Sequence, residues 1–231
     1  MASVPQRNAI YQDQSVTNKL FWSDPYLCTC DTVVDAVLGN WVVLRDTVFY
    51  AFSGGQESDS GTIGGHTVLE ARKKGRFIEY DLGSNHGLWS GQPVRVDIDW
   101  PRRYRLMRLH FAAELVLELM CRRLPAIEKI GAHIAADKSR VDFAWPHPLG
   151  EELAALSNDV RHIVDCDLPI ISAYSDEAAQ RRYWEVRDVA RVPCGGTHLR
   201  RTGETGALAL KRKNLGKNKE RVEISLVDAR E

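Results

Sequence analysis

The chain has 231 residues, 44% hydrophobic and 27% charged, with a formal net charge of zero at pH 7. That size and balance fit a globular protein with one large or two small cores, and they exclude a global electrostatic pull on nucleic acid. No apolar stretch is long enough to read as a transmembrane helix, the N-terminus lacks a signal-peptide apolar region, and five cysteines without a regular framework suit a reducing, cytoplasmic setting.

Residues 1–20 are polar and weakly patterned and read as an arm. Leu20 to Tyr26 reads as a short strand leading into a turn. Thr29 to Val37, Asn40 to Leu44 and Thr47 to Phe52 are rich in Val, Thr and aromatics and predict strands, with Gly39-Asn40 as a hairpin turn. Cys28 and Cys30 alternate, so they face opposite sides of a strand and do not clamp one metal there. Ser53 to Gly65 carries five glycines, a sign of tight turns or of backbone approaching something closely. No Gly-Lys-Ser/Thr follows, so the stretch is not a P-loop, and taken alone it is structural. Strands resume at His66 to Arg72 and Arg76 to Leu82, and Pro93 to Trp100 alternates apolar and polar residues. To about residue 100 the pattern predicts a small antiparallel barrel or sandwich.

Pro101 marks a boundary. A long helix through Arg105–Arg123 follows, apolar around most of its circumference and ended before Pro125. His110, Glu114 and Glu118 interrupt it at steps of four and so share one face. Buried polar groups need partners. Two readings are open: a solvated stripe in which His110 pairs Glu114 and Glu118 pairs Arg122, or a site. Beyond the helix, Glu128 to Ile134 and Ser139 to Trp145 predict a hairpin, Leu149 to Cys166 a helix, and Leu168 to Tyr174 a strand. Ser175-Asp176 looks like the start of a short helix, and Ala207 to Arg212 with Arg221 to Val227 form a closing antiparallel pair. This half is an α+β layer.

Pro193-Cys194-Gly195-Gly196-Thr197-His198 places a thiol and an imidazole at a glycine turn, two ligands that zinc prefers. With His110 and Glu114 that makes four possible ligands from two distant elements. Arg200–Arg221 holds eight basic and two acidic residues, and Arg102, Arg103, Arg105 and Arg108 form a second cluster. Both are solvated loops or a phosphate-contacting surface, and composition does not choose. Trp22, Trp41, Trp89, Trp145 and Trp184 do not cluster in sequence and read as packing residues.

From about Leu20 onward the sequence resembles the AlaX-type alanyl-tRNA editing proteins and the editing domain of alanyl-tRNA synthetase. Four stretches in family order carry the resemblance. They are Phe49–Gln56 with Asp59 and Gly61; Ile98–His110 with Trp100, Arg103, Arg105 and Met107; Ile130-Gly131 through Val141-Asp142-Phe143; and Cys194–His198 with Thr202-Gly203-Glu204. The resemblance implies an α+β fold: an N-terminal antiparallel β-barrel over 1–100, then over 101–231 a zinc-binding α+β editing domain of the threonyl/alanyl-tRNA synthetase second-additional-domain type. It implies a free-standing, trans-acting deacylase for mischarged tRNA, most readily seryl-tRNA(Ala), with one zinc ion per chain. The metal ligands implied are His110, Glu114, Cys194 and His198. Glu114, Thr197 and Gln56 are the implied catalytic residues. Gly54, Gly55, His133, Arg103, Arg105, Arg200 and Lys211 are the implied contacts to substrate.

The family pattern has His-x-x-x-His on the helix, where this chain has Glu114. Glu114 can ligate through oxygen, act as general base beside a three-ligand metal, or mark a lost site in a non-catalytic RNA- or partner-binding module. A deacylase for another aminoacyl ester is a further alternative. The family also tends to have glycine where Ser53 stands and proline where Glu57 follows Gln56. No membrane partner is expected, and the sequence does not read out an oligomeric state.

Overall fold

In the computed structural model, residues 16–227 are described, so most of the arm expected over 1–20 lies outside them. Alternating Val, Ile and Tyr side chains fold the first half into a curled antiparallel sheet. The strands of this half are β1 (Asn18–Lys19), β2 (Thr29–Leu38), β3 (Trp41–Leu44), β4 (Asp46–Thr47) and β5 (Gly61–Ile63). They continue with β6 (His66–Thr67), β7 (Glu70–Lys74), β8 (Phe77–Asp81) and β9 (Pro93–Ile98). Seven of them pair in the order β6-β5-β9-β2-β3-β8-β7, while β1 and β4 form a separate parallel pair. The first half of β2 pairs with β9 and the second half with β3, with a register shift between Val34 and Ala36. Such a bulge bends the strand and increases its twist. Pairing runs linearly from β6 to β7 and does not itself show the closed barrel expected from the sequence.

Helix α2 (Trp100–Arg123) opens the second half. The Asp99 carboxylate accepts the Arg102 N–H, Pro101 occupies the first turn, and the helix stops at Leu124 before Pro125. Apolar side chains surround it, Leu106, Leu109, Phe111, Leu115 and Met120 among them, all buried. It packs on β10 (Glu128–Ile134), β11 (Ser139–Ala144), β16 (Lys219–Leu226) and α3 (Gly150–Asp165). Those strands belong to a four-stranded sheet ordered β10-β11-β16-β15, β15 being Leu208–Gly216. A smaller sheet joins β12 (Ile171–Asp176), β13 (Arg181–Val186) and β14 (Ala190–Pro193) in sequence order. Buried apolar residues gather into two clusters, one drawn from Phe21 to Ile98 and one from Leu106 to Ile224.

Four sequence expectations need correction. Leu20–Ser23 is one turn of helix (α1), not a strand. Thr47 to Ala51 is buried but leaves the ladder after Thr47, and Phe52 is exposed. The Thr47 hydroxyl takes the Phe49 N–H and the Asp59 carboxylate takes the Tyr50 N–H, so side chains supply what a neighbouring strand would. Ser175-Asp176 ends β12, and the Asp176 carboxylate accepts the Ala179 N–H in the turn of a hairpin, not of a helix.

Arg103 is the fourth. Expected at the substrate surface, it is fully buried. Its guanidinium donates to both Asp59 carboxylate oxygens and to the Pro25 and Val48 carbonyls. It ties α2 to the glycine loop.

Candidate metal centre

His110 and Glu114 lie one turn apart on α2, and Cys194 and His198 come from the turn after β14. The four ligand atoms all fall within 4.8 Å of one another. Cys194 Sγ is 3.4 Å from His110 Nε2 and 3.3 Å from His198 Nε2. Glu114 Oε1 is 3.4 Å from His110 Nε2, and Glu114 Oε2 is 3.6 Å from His198 Nε2. Zinc–ligand bonds of about 2.0–2.3 Å put the corners of a tetrahedron roughly 3.3–3.7 Å apart. The donor set therefore has a chemistry that fits zinc, and these four separations match the spacing of such a site. His110 and His198 are buried, Glu114 and Cys194 half-buried. Among the described residues no other group of His, Cys, Asp or Glu has this arrangement.

Electrostatics point the same way. Burial pushes the Cys194 thiol up, but His110 and His198 beside it outweigh this and bring it down to about 7. Burial also raises the Glu114 carboxyl, and the two histidines more than reverse it, to well below the usual carboxylate range. Burial lowers both imidazoles, and the facing Glu114 and Cys194 outweigh it, so His110 and His198 hold protons above the ordinary histidine range. A thiolate and a carboxylate facing two imidazoles form a site where a cation would take the place of protons. The buried His110 Nδ1 has no hydrogen-bond partner.

The turn has to contain glycine. A Cβ on Gly196 would stand 2.0 Å from His110 Cε1 and 2.6 Å from Nδ1. Gly196→Ala is therefore expected to destabilise the fold by about 1–3 kcal/mol, the range of an overpacked core. Urea unfolding measures this, and an unchanged midpoint would show that the loop yields freely.

The glycine loop docks on β10. The Gly55 carbonyl accepts the Ile134 N–H at 2.8 Å, and the Glu57 N–H donates to the Ile134 carbonyl at 3.0 Å. A Gly55 Cβ would meet the Ala132 carbonyl oxygen at 2.8 Å and a Gly61 Cβ the Asp97 carbonyl oxygen at 2.1 Å, so the close approaches expected of these glycines are to β10 and β9. The docking sets Gln56 beside the cluster, fully buried, where its amide donates to Thr197 Oγ1 at 2.9 Å.

Above the cluster lies a cleft of about 580 Å³, within the usual range for ligand pockets. Gly54, Tyr50 and Trp22 line it, with Lys73, Lys129, Arg181 and Arg182 from three different strands. A second cavity of about 490 Å³ between α3 and β15 brings together no comparable donor set.

The structure does not bring the remaining expected contacts into this cleft. His133 sits 3.1 Å from Glu57 Oε1. Arg105 donates to the Ala136 carbonyl. Arg200 pairs with Asp24 and covers the Tyr26 ring, and Lys211 lies exposed on β15 opposite Glu223. Much of the basic run is matched by carboxylates, as in Arg201–Asp167, Arg212–Glu220 and Arg221–Asp142.

Sequence reasoning missed several groups here. Trp184 donates its indole N–H to Glu114 Oε2 at 2.6 Å, and Ser172 Oγ lies 3.2 Å from His198 Nδ1. The basic side chains of the cleft come from three strands far apart in sequence, which no spacing rule connects.

No family model matches the chain. Curated relatives do. It is 30% identical to the alanyl-tRNA editing protein AlaX-M of Pyrococcus horikoshii, across 92% of this chain and 99% of that protein. It is 32% identical to the AlaX-M of Methanosarcina barkeri, across 92% and 100%. Against the alanine–tRNA ligase of Pyrobaculum calidifontis it is 32% identical across 83% of this chain and 25% of the ligase. Among the described residues no helix is long and apolar enough to cross a membrane.

Proposed function

Because the chain belongs to the AlaX family of alanyl-tRNA editing proteins, we propose that it hydrolyses the aminoacyl ester of mischarged tRNA, seryl-tRNA(Ala) first, at a zinc ion held by His110, Glu114, Cys194 and His198. The observation that carries this reading is the four-ligand cluster at the base of a cleft large enough for a small ligand. When bound, zinc would supply Lewis acidity at the ester and lower the pKa of an attacking water. The chain's own residues do the rest. Gln56 and Thr197, buried beside the cluster, brace it through their mutual hydrogen bond, and the Gly54 turn brings backbone to the cleft. Serine differs from alanine by one hydroxyl, which an apolar aminoacylation pocket rejects poorly. A polar second site can prefer it, and Gln56 and Thr197 offer the groups to do so. We place the boundary between an N-terminal module and the editing domain near residue 100.

The single-stranded end of the tRNA enters past Lys73, Lys129 and Arg181, none of which makes a salt bridge among the described residues. Arg105, Arg200 and Lys211, outside the cleft, serve the paired stem in this proposal. Each phosphate contact to a single strand contributes about 0.7 to the slope of log affinity against log salt. The triple variant Lys73→Ala, Lys129→Ala, Arg181→Ala should lower that slope by about 2. Filter binding across a salt series measures it, and an unchanged slope would move the RNA path elsewhere.

The test of the function is zinc content together with hydrolysis of seryl-tRNA(Ala). About one zinc per chain with release of serine supports it. Zinc without hydrolysis of any aminoacyl-tRNA would favour a binding module.

A further inference from the structure

Trp184 lies on β13, seventy residues from Glu114, and is fully buried with its ring edge against Phe111. Packing alone explains its ring. It does not explain the 2.6 Å hydrogen bond from its indole Nε1–H to Glu114 Oε2. An indole only donates and an ionised carboxylate only accepts, so the two groups match in a way that indole and a metal-ligating histidine do not. Such a histidine ligates through one nitrogen and carries a proton on the other. Set at position 114 it would turn a C–H or N–H toward the Trp184 N–H and leave a buried donor without an acceptor.

The bond also divides the labour of the carboxylate. Oε2 accepts from Trp184 while standing 3.6 Å from His198 Nε2, and Oε1, free of the indole, stands 3.4 Å from His110 Nε2. We infer that Trp184 is a positioning residue: it would hold the Glu114 carboxylate oriented for ligation, with Oε1 the oxygen free of the indole, and the Glu114–Trp184 pair stands in for the helix histidine of the family pattern. This inference rests on the metal reading proposed above.

The experiment compares zinc affinity, by competition with a colorimetric chelator, for Trp184→Phe in two backgrounds. In the native background the variant should lose about 10–100-fold in affinity, the usual effect of removing a hydrogen bond that orients a ligand. In Glu114→His it should lose nothing or gain, because the stranded indole N–H is removed. The packing defect is common to both backgrounds and cancels. Should Glu114→His fail to fold, Glu114→Ala serves as the second background, and there Trp184→Phe should be silent. Cobalt(II) gives a second readout: its visible bands should shift in Trp184→Phe and not in the same change made on Glu114→Ala. Equal losses in both backgrounds would overturn the inference and leave the metal site standing. A native chain that takes up neither zinc nor cobalt would overturn the metal reading and this inference together.

Discussion

Cys194→Ala is expected to empty the metal site and abolish deacylation. The thiolate is the softest ligand of the set and faces both histidines, at 3.4 and 3.3 Å. Without it, His110 and His198 keep only Glu114 as a counter-charge, and only three of the four ligands remain. Zinc after dialysis should fall from about one per chain to a trace. Lewis-acid stabilisation of a developing oxyanion supplies several kcal/mol, and about 4 kcal/mol is roughly a thousandfold in rate. Single-turnover hydrolysis of seryl-tRNA(Ala) should drop by at least that factor. The chelator-treated native protein should fall as far and recover on adding zinc, while Cys194→Ala should not recover. Hydrolysis that persists in the metal-free variant would place the chemistry elsewhere in the cleft. Glu114→Ala adds a separate discrimination. Loss of zinc with loss of turnover fits a ligand, whereas retained zinc with lost turnover fits a general base.

The parts of this centre that the sequence revealed are those whose chemistry is tied to residue type and local spacing. His110 and Glu114 are readable because a helix repeats every 3.6 residues and polar groups at steps of four share a face. Cys194 and His198 are readable because thiol and imidazole at a glycine turn have few uses. The end of α2 before Pro125 is equally local, whereas its start lies at Trp100, five residues ahead of the Arg105 read from the sequence. What stayed hidden depends on pairings across the fold. Trp184 looks like any other packing tryptophan until β13 lies beside α2. Thr47 to Phe52 has strand propensity, yet the acceptors for its N–H groups are side chains, one from Asp59. Arg103 stands in a basic cluster and reads as a surface group. Its burial is dictated by a carboxylate 44 residues away and by the Pro25 and Val48 carbonyls. Propensity and periodicity carry none of this information.

That buried pair sets the second large effect. Asp59→Asn keeps the shape and an oxygen for the Tyr50 N–H, which Asp59 accepts at 2.7 Å, but removes the charge facing Arg103. Both side chains are 0% exposed, so water cannot compensate. Breaking a buried pair from one side costs about 3–5 kcal/mol. For a chain of this size each kcal/mol moves the melting temperature by about 2–4 °C, so Tm should fall by roughly 6–20 °C. A well-packed apolar substitute often recovers such a loss. Here Asp59→Leu with Arg103→Met should recover only part of it, because the Tyr50 N–H and the Pro25 and Val48 carbonyls lose their partners along with the charges. Function should suffer differently from zinc content. Asp59 ends the loop that carries Gln56, whereas the four ligands sit on α2 and the Cys194 turn. Asp59→Asn, assayed well below its Tm, should therefore retain zinc yet lose deacylation, as Gln56 is no longer held against Thr197. A Tm within about 2 °C of the native value, well below the shift that a 3–5 kcal/mol loss implies, would mean that the guanidinium finds other compensation. In that case the loop owes its position to its docking on β10 instead.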